Sequence, residues 1–294
     1  MANAIEVIHA ATAADFWSLL SPERPLFPQP CKLLYRGQRD DSWHLTPGIL
    51  RRGMSATADF QVFKEWAYIE TFVRHCDSIG LPIPNDSPSF RKQFLNQNSP
   101  KGPGGSVSEW PPTEVHPLMA LAQHYRLPTR LLDWSARAYV AAYFAISEAL
   151  AKTIMPSCDK CNPEVERLAV WVLDIEKIAL FHELKVVTVP GGNNANLAAQ
   201  SGRFTLLTQV GGTGKPFTGE IALDLYFEAQ LQSPPLKKVI LPIAEAAAAL
   251  RLCSLYDVTG ATLFPDYYGA ARATEDALST PPADGTLSFW SHIF

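Results

Sequence analysis

The stretch Ala122-Gln123-His124-Tyr125-Arg126-Leu127-Pro128-Thr129-Arg130-Leu131-Leu132-Asp133-Trp134-Ser135 runs on through Ala142-Tyr143-Phe144-Ala145 and decides how the chain is read. Upstream of it, Pro117 suits the first turn of a helix, where its missing N–H is not needed. The spacing predicts that this helix runs through Tyr125. Pro128 then punctuates the chain, and Leu131 and Leu132 predict a short strand. Residues 136–151, rich in Ala, Tyr and Phe and apolar on nearly every side, predict a buried helix.

Working outward, residues 32–35 predict a short buried strand that ends in Arg36-Gly37, and residues 13–20 a short helix. Residues 59–79 predict a long amphipathic helix with Phe60, Phe63, Trp66, Ala67, Ile69 and Phe72 on one broad face. The nearly all-apolar run 168–173 predicts a central strand. Further strands are expected at 185–189, 204–207 and 237–241, the last followed by an Ala-rich helix over 243–255. Strands and helices mix without a regular βα alternation. That predicts an α+β fold, a single domain with a mixed central sheet flanked by helices. Residues 81–113, rich in Pro, Gly, Ser and Asn, read as a mobile excursion from it.

Composition narrows the functional classes. Of the 294 residues, 47% are hydrophobic, ample for a substantial core, and only 18% are charged. The formal net charge of -4 lacks the overall footprint of a dedicated nucleic-acid binder. A local basic groove from Arg51, Arg52, Arg126, Arg130 and Arg137 stays open. No apolar run reaches the roughly 18 residues that span a bilayer. Residues 1–14 carry acid and no basic leader, so no signal peptide is expected, and a cytoplasmic protein without membrane contact is. Five cysteines at irregular spacing read as reduced thiols. Cys158 and Cys161 form a lone CxxC without a second pair, so a zinc site is not expected. The run Gly211-Gly212-Thr213-Gly214-Lys215-Pro216 lacks Walker spacing, and Pro216 bars a helix there, so it reads as a loop.

Besides the central stretch, two others stand out. The first is Leu34-Tyr35-Arg36-Gly37-Gln38, followed by Trp43 and residues 47–51. The other is Ala199-Gln200-Ser201-Gly202-Arg203-Phe204-Thr205, with a late companion Thr262-Leu263-Phe264-Pro265-Asp266 and Gly269. His, Arg, Asp, Ser and Gln set among Leu, Trp and Tyr must find partners if buried, because an unpaired buried polar group costs a few kcal/mol. So many polar groups in one place predict a pocket that a ligand completes. Arg130 or Arg36 paired with Asp133 is the expected ion pair.

Together these motifs resemble the FRG domain, named for a Phe/Tyr-Arg-Gly motif near its start. The central stretch matches the family pattern except at Arg126, where the family usually carries Gly. At Asn196 a basic residue is expected. The resemblance covers residues 30–275, leaving 1–29 as an N-terminal helix and connector and 276–294 as a tail. The order of elements is also similar to mono-ADP-ribosyltransferases: a strand ending in Arg-Gly, a strand ending in Ser before an apolar helix, and a late strand. What this resemblance implies is an ADP-ribosyltransferase-like fold that uses NAD as co-substrate and needs no metal. Its acceptor would be a nucleic-acid base or a protein, in the manner of a toxin or antiphage effector with a neutralising antitoxin partner. Tyr35, Arg36, Gly37, Gln38, Arg130 and Gln200 would bind the dinucleotide. Arg36, His124, Asp133, Ser135, Gln200 and Asp266 would line the reacting centre. In such a site Gly37 would allow a close backbone approach to the ligand, and Ser135 would hold Arg36 or the ribose. Gln200 stands where those enzymes carry Glu, so the carboxylate is expected from Asp133 or Asp266, with Glu228 behind them. Two other readings stay open: a nucleotide or nucleic-acid binding module without turnover, and a metal-independent hydrolase using His124 and Asp133. The residues have plainer readings too: His124 as a core histidine, Asp266 as a helix cap, and Gln200 with Gly202 as a strand end and turn.

Overall fold

The structure is a computed structural model describing residues 5–24, 26–28, 31–154, 166–189, 199–208, 212–217, 221–230 and 233–280. Cys158, Cys161 and Asn196 lie outside the described residues. One seven-stranded mixed sheet organises the rest, in the order β1-β7-β4-β2-β3-β6-β5. The strands are β1 (Glu6–His9), β2 (Leu33–Gln38), β3 (Leu132–Ser135), β4 (Arg167–Asp174), β5 (Leu184–Val187), β6 (Gly202–Leu207) and β7 (Leu236–Pro242). Every pairing is antiparallel except the edge pair β1–β7. This is the α+β single sheet that the intermixed pattern predicts. Strand β1 is an addition, because four residues at an edge leave little apolar pattern.

The all-apolar run of β4 is central, as expected, because both of its faces are buried. Leu168, Val170 and Val172 pack against α6 (Ala138–Ile154), α1 (Ala13–Leu20) and α8 (Ala246–Leu255). Trp171 and Leu173 pack on the other face with Leu34, Trp134 and α7 (Leu223–Gln230). Alternate side chains of one strand thus serve two cores, which is why no polar residue interrupts it. Residues 243–245 form a separate 3-10 turn before α8, so the Ala-rich helix starts later than the sequence suggests.

A third cluster joins α3 (Ala58–Ser78), α4 (Pro88–Phe94) and α5 (His116–His124) to β5 and β6. Two expectations need correction here. The buried face of α3 is rotated: Phe60 and Phe63 are exposed, whereas Gln61 and Glu65 are buried. The residues 81–113 are not an unanchored excursion, since Phe90, Phe94, Val107 and Trp110 all bury their side chains and α4 forms within it. Large aromatics spaced through polar, Pro-rich sequence anchor it despite its composition.

The remaining elements are α2 (Gly48–Arg51), α9 (Gly260–Leu263) and α10 (Tyr267–Ser279). Helix α10 packs on α6 and runs past residue 276, where a tail was expected. Among the described residues no helix is long and apolar enough to cross a membrane. The described part of the Gly-rich run is a loop that docks on the start of α3: Gly214 N donates to Asp59 Oδ1 at 2.9 Å, and Ala58 N to the Lys215 carbonyl at 2.9 Å.

Candidate functional site

Strand β2 delivers the first motif. It pairs with β4 along its whole length but with β3 only at Tyr35 opposite Ser135. Instead of a further rung, the Arg36 guanidinium meets β3: its Nη1 donates to the Asp133 carbonyl at 2.7 Å and to Asp133 Oδ2 at 2.6 Å. The expected Arg36–Asp133 pair is therefore present. Arg36 is largely buried and Asp133 is exposed to the cleft described below. Gly37 answers a different need from the one expected. A Cβ there would run into the Ala141 carbonyl and lie 2.7 Å from Ala145 N, so helix α6 occupies the space reserved for a ligand backbone. Gln38 is buried, accepting from Trp171 Nε1 at 2.7 Å and donating to the His44 carbonyl at 3.3 Å. Tyr35 is half-buried, and burial pushes its phenol up to about 12.

The central motif splits between cleft and core. Gln123 donates to Asp133 Oδ1, Thr129 Oγ1 donates to Gln123 Oε1, and Leu131 N donates to Thr129 Oγ1 at 3.1 Å. This relay fixes the carboxylate of Asp133 between Arg36 and Gln123. Both oxygens are thus engaged, which argues against Asp133 as the free acid or base of a hydrolase. His124 closes α5 at the cleft; burial lowers its pKa, partly opposed by Asp266, and the ring is mostly neutral at pH 7.

Arg130 is a correction. It is 1% exposed and does not face the cleft. Its Nε and Nη2 bind the two oxygens of Glu65 at 2.9 and 2.6 Å, and Gln61 and Trp110 also donate to that carboxylate. Glu65 lies off the apolar face that the spacing predicts and is buried because α3 is rotated; a buried guanidinium demands it there. Ser135 is also structural: it donates to the Gln200 carbonyl at 2.8 Å and accepts from Arg137 N at 2.9 Å, rather than holding Arg36.

In the third motif, the Gln200 side chain donates to the Leu263 carbonyl at 3.2 Å. Asp266 caps α10 by accepting from Gly269 N at 2.9 Å, so the plain reading of this residue is the one realised. Gly202 opens β6 opposite Ser135.

All three motifs nevertheless meet. One cleft of about 1420 Å³ is lined by Tyr35 to Gln38, His124, Asp133, Ser135, Gln200 and Asp266 together. Glu228 is not among its lining residues; its Oε1 accepts from Ile5 N at 3.3 Å, near the N-terminal edge strand. The cleft exceeds the about 300–1,000 Å³ of a typical small-molecule pocket.

Two lining residues were not anticipated. Glu148, on α6, lines the cleft with its side chain exposed there, and the surrounding walls strip part of its hydration. That desolvation raises its carboxyl above the ordinary value, against the pull of Arg272, Arg36 and Arg39 and with help from Asp133. A signal existed: it is the one charged residue in 138–151 of an otherwise apolar helix. Arg272 of α10 faces it across the cleft, donating to Ser147 Oγ at 2.6 Å and lying over the rings of Tyr143, Phe264 and Phe144 at 5.4, 5.6 and 5.9 Å. The Nε donors of Arg36 and Arg39 are buried with no hydrogen-bond partner. Guanidiniums around a protonation-shifted carboxyl suit an anionic ligand and charge-developing chemistry.

Fold and site together define an α+β chain with an Arg-anchored polar cleft. Residues 31–153 match the family model of the FRG domain, which supports the FRG resemblance that the motifs carry. The match opens just before β2 and closes within α6, so it takes in Arg36, Asp133 and Glu148 but not Gln200, Asp266 or Arg272. No curated protein and no solved structure matches the chain.

Proposed function

We propose that the cleft binds NAD and transfers ADP-ribose to an acceptor. The observation that carries this reading is the meeting of three distant motifs in one cleft, where Arg36, fixed by Asp133, lies within electrostatic reach of the carboxyl of Glu148. Arg36, Arg39 and Arg272 supply planar donor forks for a diphosphate or ribose. The aromatic rings of Trp43, Phe144 and Tyr268 supply flat surfaces for bases. In the reaction the bond between nicotinamide and ribose C1′ breaks, its electron pair leaves with neutral nicotinamide, and the acceptor forms the new bond to C1′ as it loses a proton. The ribose passes through an oxocarbenium-like state. Ionised Glu148 is placed to face that positive charge, the role for which the late strand offers only Gln200. Neutral His124 is suited to take the acceptor proton.

Binding without turnover is the second reading, favoured by Gln200 and Asp266 being engaged in structural bonds. One experiment separates the two. The purified protein is incubated with NAD and mixed DNA, RNA and cell lysate, and nicotinamide release and transfer of labelled ADP-ribose are followed for wild type and Arg36→Ala. Transfer that disappears in the variant supports the enzyme. Saturable NAD binding with no nicotinamide release under any condition supports the binding module and overturns the transferase reading.

A further inference from the structure

We propose that the mouth of the cleft binds single-stranded nucleic acid, with Tyr125 and Tyr268 stacking on bases and Arg126 contacting the phosphate chain. As the acceptor of ADP-ribose this strand rests on the function proposed above; as a ligand it does not. Tyr125 is 68% exposed and Tyr268 47% exposed, both line the cleft, and the neighbouring Tyr267 is 97% exposed. Two large rings left in water at one opening, with a third beside them in sequence, make an exposed aromatic patch of the kind that marks a binding surface. A base has a flat face that such rings accept whatever its identity.

Arg126 joins the two sides of the mouth. It follows α5 with φ 65°, a left-handed conformation that costs a side chain energy and that glycine adopts freely. Strain of this kind concentrates at functional positions. From there its Nη2 lies 3.4 Å from the Tyr268 hydroxyl. A second aromatic–guanidinium pair lies on the β2 side, where Arg39 sits over Trp43 at 4.8 Å.

Unpaired guanidiniums at the opening suit phosphate despite the chain's net charge of -4. Among the described residues Arg39, Arg51, Arg126 and Arg272 make no salt bridge. The lining acids are largely spoken for: Asp133 by Arg36 and Gln123, Asp266 by the α10 cap, and Asp276 by the Tyr143 hydroxyl at 2.5 Å. The lining as a whole holds five carboxyls and five arginines, so it is guanidiniums free of ion pairs, not a net positive charge, that suit phosphate. Arginine interleaved with exposed aromatics is the arrangement that grips single strands, whereas a duplex hides its base faces within its own stack.

The test is fluorescence anisotropy of a mixed-sequence single strand, as DNA and as RNA, and of the matching duplex, across a salt series. Wild type is compared with Tyr125→Ala and Arg126→Gly, and thermal melts are run on each. The single strand is expected to bind more tightly than the duplex. Tyr125→Ala should weaken it by about fivefold to a hundredfold. Arg126→Gly should also weaken it and lower the slope of log K against log salt by roughly 0.7–1, while melting no lower than wild type because glycine relieves the strain. Absence of single-strand binding at low salt, equal binding of the duplex, or binding unmoved by both variants overturns the proposal. Nicotinamide release with transfer only to proteins and no strand binding overturns it and spares the transferase reading. Strand binding without nicotinamide release supports it and removes the transferase reading alone.

Discussion

Glu65→Ala tests the placement of Arg130 most sharply. Removing this carboxylate strips the acceptor from Arg130 Nε and Nη2, from Gln61 Nε2 and from Trp110 Nε1. The guanidinium left behind is 1% exposed and cannot recover water. Breaking a buried pair from one side costs about 3–5 kcal/mol, and the orphaned neutral donors add to this without being strictly additive. For a chain of this size, at about 2 °C per kcal/mol, the melting temperature should fall by roughly 6–10 °C. The paired replacement Glu65→Leu with Arg130→Met removes both charges while keeping comparable volume, and should restore most of that loss. Thermal and urea unfolding, read by two optical probes to check that they coincide, would measure both variants. A drop below about 2 °C for Glu65→Ala, or a double variant less stable than the single one, would refute the reasoning. The folded double variant should also bind cleft ligands as wild type does, because Arg130 does not line the cleft.

Other expectations follow from the same geometry. Gly37→Ala should destabilise by about 1–3 kcal/mol or more, seen as a lower urea midpoint, because the new methyl meets helix backbone that is pinned on both sides. Asp266→Ala should cost about 1 kcal/mol by loss of the α10 cap, measured by thermal melts. Because the folded state raises the Glu148 pKa, its contribution to stability is fullest below the ordinary carboxylate range and lost as pH rises through the raised value. Replacement by Gln should therefore leave the protein at least as stable as wild type at pH 7, and flatten that pH dependence in melts taken across pH. The proposed transfer uses ionised Glu148, so its acid limb should lie above the ordinary carboxylate range in a pH–rate profile.

Much of the architecture was legible because hydrophobic pattern carries it. The run in β4 had to be central, since both of its faces bury side chains, and α6 had to be internal. The Arg36–Asp133 pair was legible because two complementary groups in apolar company require each other. Other features were hidden because they depend on distant partners. Glu65 looked like the polar edge of an amphipathic helix until Arg130, 65 positions away in sequence, turned that edge inward. The glycine after Arg36 signalled a close approach, but periodicity could not say that helix α6 rather than a ligand makes it. The resemblance pointed to Asp133 or Asp266 as the carboxylate, and only the folded cleft sets Glu148 among Arg36, Arg39 and Arg272.

The most direct measurement of the central claim is the rate of nicotinamide release from NAD for wild type and Glu148→Gln, each first shown by its melt to be folded. The account predicts release by wild type, a fall on the order of 10²-fold or more in kcat for the variant, and no loss of thermal stability. Release that is unchanged in folded Glu148→Gln would contradict the role given to this carboxylate, and no release from wild type with any acceptor would contradict the enzyme itself.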